Sequence, residues 1–317
     1  MSNLVCDICG GKLKVVNGKF AICESCGMEH GIERLQEKYR DAQKVVHTDS
    51  AHLIANYFAM AQDLYDAENK KEAENYCNKI IEISPTNTEA LILKGKAVGW
   101  QSSVDNFRFQ EAAICFSNAI NSLISETHKK DLHIKIEEEF KGLATAIISA
   151  RCLRFARYPD NEEANAFNHD LDEISDAVNK YVSATSLHIN KNKVFGNIAS
   201  IVKLCISTLA STMLSNYKTD GSRYSYLDYV SKIDNYIEIL EKTADLCSDD
   251  NESDLEIYKQ IITMCNDILN NNTTDAIENR WGAYINTPRL SMEEQENKKK
   301  KISEMEEKIK KINNLKK

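Results

Sequence analysis

Two short cysteine pairs constrain this chain more than anything else in it. Cys6-Asp7-Ile8-Cys9-Gly10 and Cys23-Glu24-Ser25-Cys26-Gly27 are both C-x-x-C-G units, with thirteen residues between Cys9 and Cys23. A two-residue gap lets one tight turn aim two sulfurs at the same ion, and four thiolates complete the tetrahedron that zinc prefers. The glycine after each pair permits a positive φ, which turns backbone N–H groups towards the sulfurs and offsets their charge. Cys6, Cys9, Cys23 and Cys26 therefore read as the ligands of one structural Zn2+ ion. Four protein thiolates leave no coordination position for water or substrate, so catalysis by this metal is not expected. A redox role fits poorly, because redox C-x-x-C motifs open a helix in a βαβ setting. His30 lies nearby, but with four cysteines filling the tetrahedron it reads as a surface residue.

Between the pairs, Lys12-Leu13-Lys14-Val15-Val16 alternates polar with apolar residues, Asn17-Gly18 is a strong hairpin-turn dipeptide, and Lys19 to Ile22 leads back. Residues 1–31 are thus expected to form a β-hairpin zinc ribbon. Something this small buries little apolar surface, and the metal is expected to supply most of its folding free energy, on the order of 10 kcal/mol.

The remainder reads as mostly α. Only 11 glycines and 3 prolines occur in 317 residues, which suits long helices joined by short polar loops. A net charge of −8 argues against a general nucleic-acid binder, which needs clustered Lys and Arg. Met1 to Val5 lacks the basic and apolar regions of a signal peptide, and the most apolar region, Val194 to Tyr217, is interrupted by Asn197, Lys203 and several Ser and Thr residues. A cytoplasmic protein with no membrane span is expected. In a reducing compartment the six scattered cysteines, Cys77, Cys115, Cys152, Cys205, Cys247 and Cys265, are most simply small core residues.

A charged connecting helix is expected over Ile32 to His47, with Thr48-Asp49-Ser50 capping the next, so that residues 32–50 join ribbon to body. From Ile54 to Asn87, Tyr57, Met60, Ala61 and Leu64 fall on one helix and Ala73, Cys77, Ile80 and Pro85 on or after a second. From Thr88, Leu91, Gly95 and Val98 precede Ala112, Phe116 and Ala119 in the same way. This pattern resembles the tetratricopeptide repeat (TPR), whose small residues let paired antiparallel helices approach closely and whose late proline ends the second helix. The resemblance implies two TPR-like helical hairpins over residues 51–125. Cys77 and Ile80 depart from the usual aromatic and alanine. Ordinary packed helical hairpins, which also want small residues where they cross, are the alternative.

Residues 126–287 read as an irregular helical domain: His133 to Tyr158, a helix opened by Asp160 and Glu163, a helical face of Val194, Ile198, Ile201, Cys205, Leu209 and Met213, then helices from Tyr224 to Cys247, Leu255 to Leu269 and Thr274 to Tyr284. Tyr224, Tyr226, Tyr229 and Tyr236 read as core. Residues 288–317 form a charged C-terminal helix opened by a Ser291/Glu294 capping box. Its Ile302, Met305, Ile309 and Ile312 keep a coiled-coil-like spacing over about two heptads, enough to dock on the body or to self-associate. From Ser291 there are nine Lys against six Glu, which leaves the preceding residues at about −11.

No HExxH, Gly-rich phosphate loop or GxSxG is present, and His128 and His133 stand too far round a helix to chelate and read as solvated residues, so no enzymatic activity is expected. The chain reads as a non-enzymatic scaffold or adaptor for a protein or peptide partner, with the acidic body favouring a basic one. The carboxylate-clamp variety of tetratricopeptide groove is not expected, since Phe58 and Gln62 stand where it wants Lys and Asn. The second reading is a regulator that contacts DNA or RNA through Lys12, Lys14 and Lys19 of the ribbon.

Overall fold

The computed structural model describes residues 6, 11–16, 20–31, 50–247, 251–278 and 280–315. The expected connecting helix, the Thr48-Asp49 cap and the Asn17-Gly18 turn lie outside the described residues. Within them the protein is mostly helical, with a small antiparallel sheet preceding a helical body. The alternation around Leu13 gives β1 (Leu13–Val16) and β2 (Phe20–Cys23), in a register that pairs Leu13 with Cys23 and Val16 with Phe20. A third strand, β3 (Glu29–Gly31), pairs with the far edge of β2. Its three residues carry no β-branched alternation, so nothing in the sequence marks it as a strand.

The body begins with α1 (residues 50–66), α2 (Lys70–Ile83), α3 (Thr88–Gly99) and α4 (Phe109–Ser122), and continues with α5 (Glu126–Arg157), α6 (Asn161–Thr185), α7 (Lys191–Asp220), α8 (Arg223–Leu246) and α9 (Asn251–Asn270). Asn69, Asn87, Ser125, Asp160, Asn190 and Ser222 each accept a hydrogen bond from the backbone N–H three residues on, which caps α2, α3, α5, α6, α7 and α8. Such caps contribute about 1 kcal/mol each. The Ser125 cap explains why α5 starts seven residues before the expected His133. α2 and α5 both stop at the residues before Pro85 and Pro159, where proline disfavours further helix.

Thr274 to Tyr284 is not the expected helix. The chain instead forms an antiparallel ribbon, β4 (Thr274–Glu278) and β5 (Tyr284–Pro288), pairing Thr274 with Pro288 and Glu278 with Tyr284. Thr274, Ile277, Ile285 and Thr287 favour extended backbone, and Gly282 takes the left-handed φ of 76° in the connection. The ribbon base is clamped by Arg289, which donates to Asp275 Oδ1 (2.9 Å), to the Gly221 carbonyl (2.8 Å) and to Tyr217 Oη (3.1 Å). The hydrogen bond from Arg289 holds the Asp275 carboxyl below the usual carboxylate range. Ile277, Trp281, Tyr284 and Ile285 remain exposed, with Arg280 over the Trp281 ring.

The helices pack in two layers. α4 packs on α6 and α6 on α8, while α5 packs on α7 and α7 on α9. Next-but-one packing of this kind is the geometry of a stacked helical array, and it gives one continuous core from Leu91 to Ile312. At the α3/α4 crossing, a Cβ on Gly95 would lie 2.5 Å from Phe116 Cε1, so only glycine lets the two helices meet there. Phe140 of α5 lies between Phe109, Phe116 and Tyr181, with ring centroids 5.4–5.5 Å away. The helix α7 is long and apolar enough to cross a membrane by length and composition, but Val194, Phe195, Ile198, Val202 and Ile206 are core residues, and the hydroxyls of Thr208, Ser211 and Thr212 bond the carbonyls four residues before them. The last helix, α10 (Met292–Leu315), opens with the expected reciprocal Ser291/Glu294 box. It docks on α9, burying Met305 and Ile312, and its Lys298 and Lys301 pair with Asp234 and Glu241 of α8.

Ion pairs join the layers. Arg108 spans Glu74 of α2 and Glu111 of α4, and its hydrogen bond holds the Glu74 carboxyl below the glutamate range. Arg151 is 3% exposed and donates to Asp170 (2.7 Å), Glu163 (2.8 Å) and the Val104 carbonyl (3.1 Å). Burial pushes the Asp170 carboxyl up while the guanidinium opposes the rise. Removing one partner of such a network strands the others in a low-dielectric interior. Arg151→Ala should therefore lower unfolding free energy by about 3–5 kcal/mol in urea titration.

Candidate functional site

β2 ends at Cys23, and the chain then turns through Glu24, Ser25 and Cys26, closed by the hydrogen bond from Gly27 N–H to the Cys23 carbonyl (2.9 Å). Gly27 takes a φ of 71°, as expected of the residue after the pair. Cys6 N–H donates to the Gly11 carbonyl at 2.7 Å, and Glu24 N–H donates to the Lys12 carbonyl at 2.9 Å, which holds the segment after Gly11 against the second pair. A Cβ on Gly11 would collide with the Ser25 side chain and come within 3.1 Å of Cys23 Sγ. That glycine is needed for close approach, a role that the spacing of the cysteines does not reveal; Gly10 lies outside the described residues.

The consequence is a sulfur cluster. The Sγ atoms of Cys6, Cys23 and Cys26 all lie within 4.8 Å of one another, and Cys6 Sγ is 3.7 Å from Cys26 Sγ. A tetrahedral ion with thiolate bonds of about 2.3 Å has sulfur–sulfur edges of about 3.8 Å, so the spacing suits a metal. Cys6 and Cys23 are buried and Cys26 is exposed. Ser25 N–H points at Cys23 Sγ, 3.4 Å away, which gives the knuckle its expected amide-to-sulfur contact. The structure thus brings together three of the four cysteines expected to bind metal; Cys9 lies outside the described residues.

His30 is not the surface residue that its position suggested. It is half-buried, with Nε2 3.2 Å from Cys6 Sγ. The strand β3 causes this. His30 pairs directly with Ala21, so its side chain shares the sheet face of Ala21 and Cys23, both of which are buried. Without β3 in view, the sequence had no means of placing it.

The scattered cysteines behave differently. Cys77, Cys115, Cys152, Cys247 and Cys265 are buried, Cys205 is half-buried, and none of the described cysteines is in a disulfide. Burial pushes the Cys77 thiol up to about 12 and the Cys265 thiol up to about 11, which keeps both protonated as apolar core groups. Tyr226, Tyr229 and Tyr236 are core residues as expected, whereas Tyr224 is exposed. His128 is exposed, but His133 is not the solvated residue its spacing implied. Its Nε2 bonds the His188 carbonyl (3.1 Å), so that nitrogen carries the hydrogen, and Nδ1 accepts from Tyr181 Oη (2.8 Å). It ties α5 to α6 and the segment after it.

A second feature lies on the first two helices of the body. Met60, Asp63 and Leu64 of α1 face Glu72 and Tyr76 of α2 across an open groove of about 360 Å³. Met60 is 45% exposed and Leu53 of the same helix 40%. Lys79 lies over the ring of Tyr76 at 4.1 Å. The groove therefore combines an apolar floor with two carboxylates. On the ribbon, Lys12 and Lys14 are both exposed, two residues apart and so on one side of the chain; Lys19 lies outside the described residues. No protein-family model matches this chain, and no curated protein matches it.

If the sulfur cluster binds a metal, its loss should be local. Protein purified under reducing conditions without chelator should carry tightly bound metal by elemental analysis. Cys23→Ser should lose most of it, with amide signals of residues 11–31 collapsing in NMR spectra while those of α3 to α10 stay in place.

Proposed function

We propose that this protein is a non-enzymatic interaction scaffold: a helical-repeat body that receives a basic, partly apolar peptide, preceded by a ribbon folded around one structural zinc ion. The groove between α1 and α2 carries this reading. Apolar Met60, Leu64 and Tyr76 offer burial, and Asp63 and Glu72 would select Lys or Arg beside an apolar side chain. The packing of α2 on α3 and of α3 on α4, with Gly95 at a close crossing, supports the tetratricopeptide-like interpretation of the first four helices, and paired helices in such arrays expose the surfaces their partners use. The exposed Trp281 and Tyr284 of the β4–β5 ribbon are further large apolar groups of the kind concentrated at protein contacts.

In the ribbon, Cys9 is taken as the fourth ligand with Cys6, Cys23 and Cys26. An all-thiolate tetrahedron in a chain whose described cysteines form no disulfide favours zinc and a reducing, cytoplasmic setting. The metal's contribution is to hold the two C-x-x-C turns together. The cysteines fix its position, and Gly11 and Gly27 allow the turns to close around it.

Nucleic-acid contact through the ribbon is the second reading, favoured by Lys12 and Lys14 exposed together. Binding assays separate the two. Peptides that carry Lys or Arg next to Leu, Met or an aromatic residue should bind in fluorescence anisotropy, and the double variant Asp63→Lys, Glu72→Lys should weaken them by about tenfold or more, given that each 1.4 kcal/mol is a factor of ten. Peptide binding indifferent to that charge reversal contradicts the scaffold reading. Salt-sensitive binding to mixed DNA or RNA, abolished by changing Lys12, Lys14 and Lys19 to Glu, would replace it with the second.

A further inference from the structure

We infer that His30 is a working part of the metal centre, as the hydrogen-bond donor to the Cys6 thiolate and not as a metal ligand. This rests on the metal-centre reading above and goes beyond its four cysteines. Three observations carry it. The register of β2 against β3 places His30 opposite Ala21 and on the face of Cys23, so the imidazole is aimed at the cluster by the backbone. Its Nε2 lies 3.2 Å from Cys6 Sγ, within hydrogen-bond reach. Two ligands of one tetrahedral ion, an imidazole nitrogen and a thiolate, would stand farther apart, at about 3.6 Å for bonds of about 2.05 and 2.3 Å. In agreement, the three sulfurs form one group within 4.8 Å of one another, of which the imidazole is not a member.

The chemistry follows from charge. Four thiolates around a divalent cation leave a net charge of −2, and N–H donors to sulfur are what make that charge tolerable in a site with buried ligands. Cys23 receives the Ser25 backbone N–H at 3.4 Å. Cys6 is 3% exposed, and the imidazole stands beside it. A metal-bound thiolate only accepts hydrogen bonds, so Nε2 carries a hydrogen. The imidazole thereby lowers the electron density on a ligand sulfur without occupying a coordination position.

The test uses the full chain loaded with zinc and then with cobalt. In competition with a chromophoric chelator, His30→Phe should weaken zinc binding by about 10- to 100-fold, the usual cost of losing an outer partner of a ligand. His30→Gln, whose amide N–H can still donate, should recover most of it. Wild type and both variants should give the same thiolate-to-cobalt charge-transfer and ligand-field spectra, since the ligand set is unchanged. In the wild type, long-range proton–nitrogen NMR should find His30 with a hydrogen on Nε2. Equal zinc affinity in wild type and His30→Phe, a cobalt spectrum that loses an imidazole ligand in the variant, or an Nε2 without a hydrogen would each overturn the proposal. A wild-type chain that takes up no metal would overturn the metal centre and this proposal together, an outcome distinct from the other three.

Discussion

Three sulfur atoms within 4.8 Å of one another are the constraint from which the N-terminal sheet takes its form. Strands of four, four and three residues enclose very little. Among the described residues of this region, Cys6, Ala21 and Cys23 are the buried apolar ones, and two of those three belong to the cluster. As ligands of the proposed metal the cysteines would be thiolates held together by the cation between them, and the sheet would then have a defined shape to the extent that the cluster is held. The local geometry serves that end. Gly11 permits the first turn to reach the second, Gly27 closes the second turn, and β3 returns along β2 to bring His30 against Cys6.

The helical body solves a different problem by different means. Its core is continuous from Leu91 to Ile312, and its stability comes from apolar burial at helix crossings narrow enough to need glycine or alanine, as at Gly95, Ala112 and Ala119. Several of the polar groups that enter this interior satisfy one another: Arg151 with Asp170 and Glu163, Arg289 with Asp275, His133 with Tyr181. Each joins one segment of the chain to another, so these contacts fix how the segments meet as well as how tightly. The groove between α1 and α2 stands apart from that continuous core and leaves Met60 and Leu53 accessible to a partner.

Much of this was legible in the residues. The C-x-x-C-G spacing located the cluster, the near absence of Gly and Pro announced helices, and the capping residues Asp160 and Ser291 marked helix starts that the structure places one residue later. The failures have physical causes. Thr274 to Tyr284 was expected to continue the run of helices before it, although its β-branched residues and Gly282 suit the hairpin that forms. β3 is too short to show a period, and with it went the placement of His30. His133 looked solvated because its two partners, Tyr181 and the His188 carbonyl, come from 48 and 55 residues away. Contacts of that range are set by the tertiary fold and leave no trace in local spacing.

The central claim is that a closed all-thiolate metal site gives the N-terminal ribbon its fold. X-ray absorption at the metal edge of the purified, reduced protein tests it most directly. The account predicts a zinc ion with four sulfur neighbours at about 2.3 Å and no light ligand in the first coordination sphere. A nitrogen or oxygen neighbour bonded to the metal, or a metal bound away from sulfur, would contradict it.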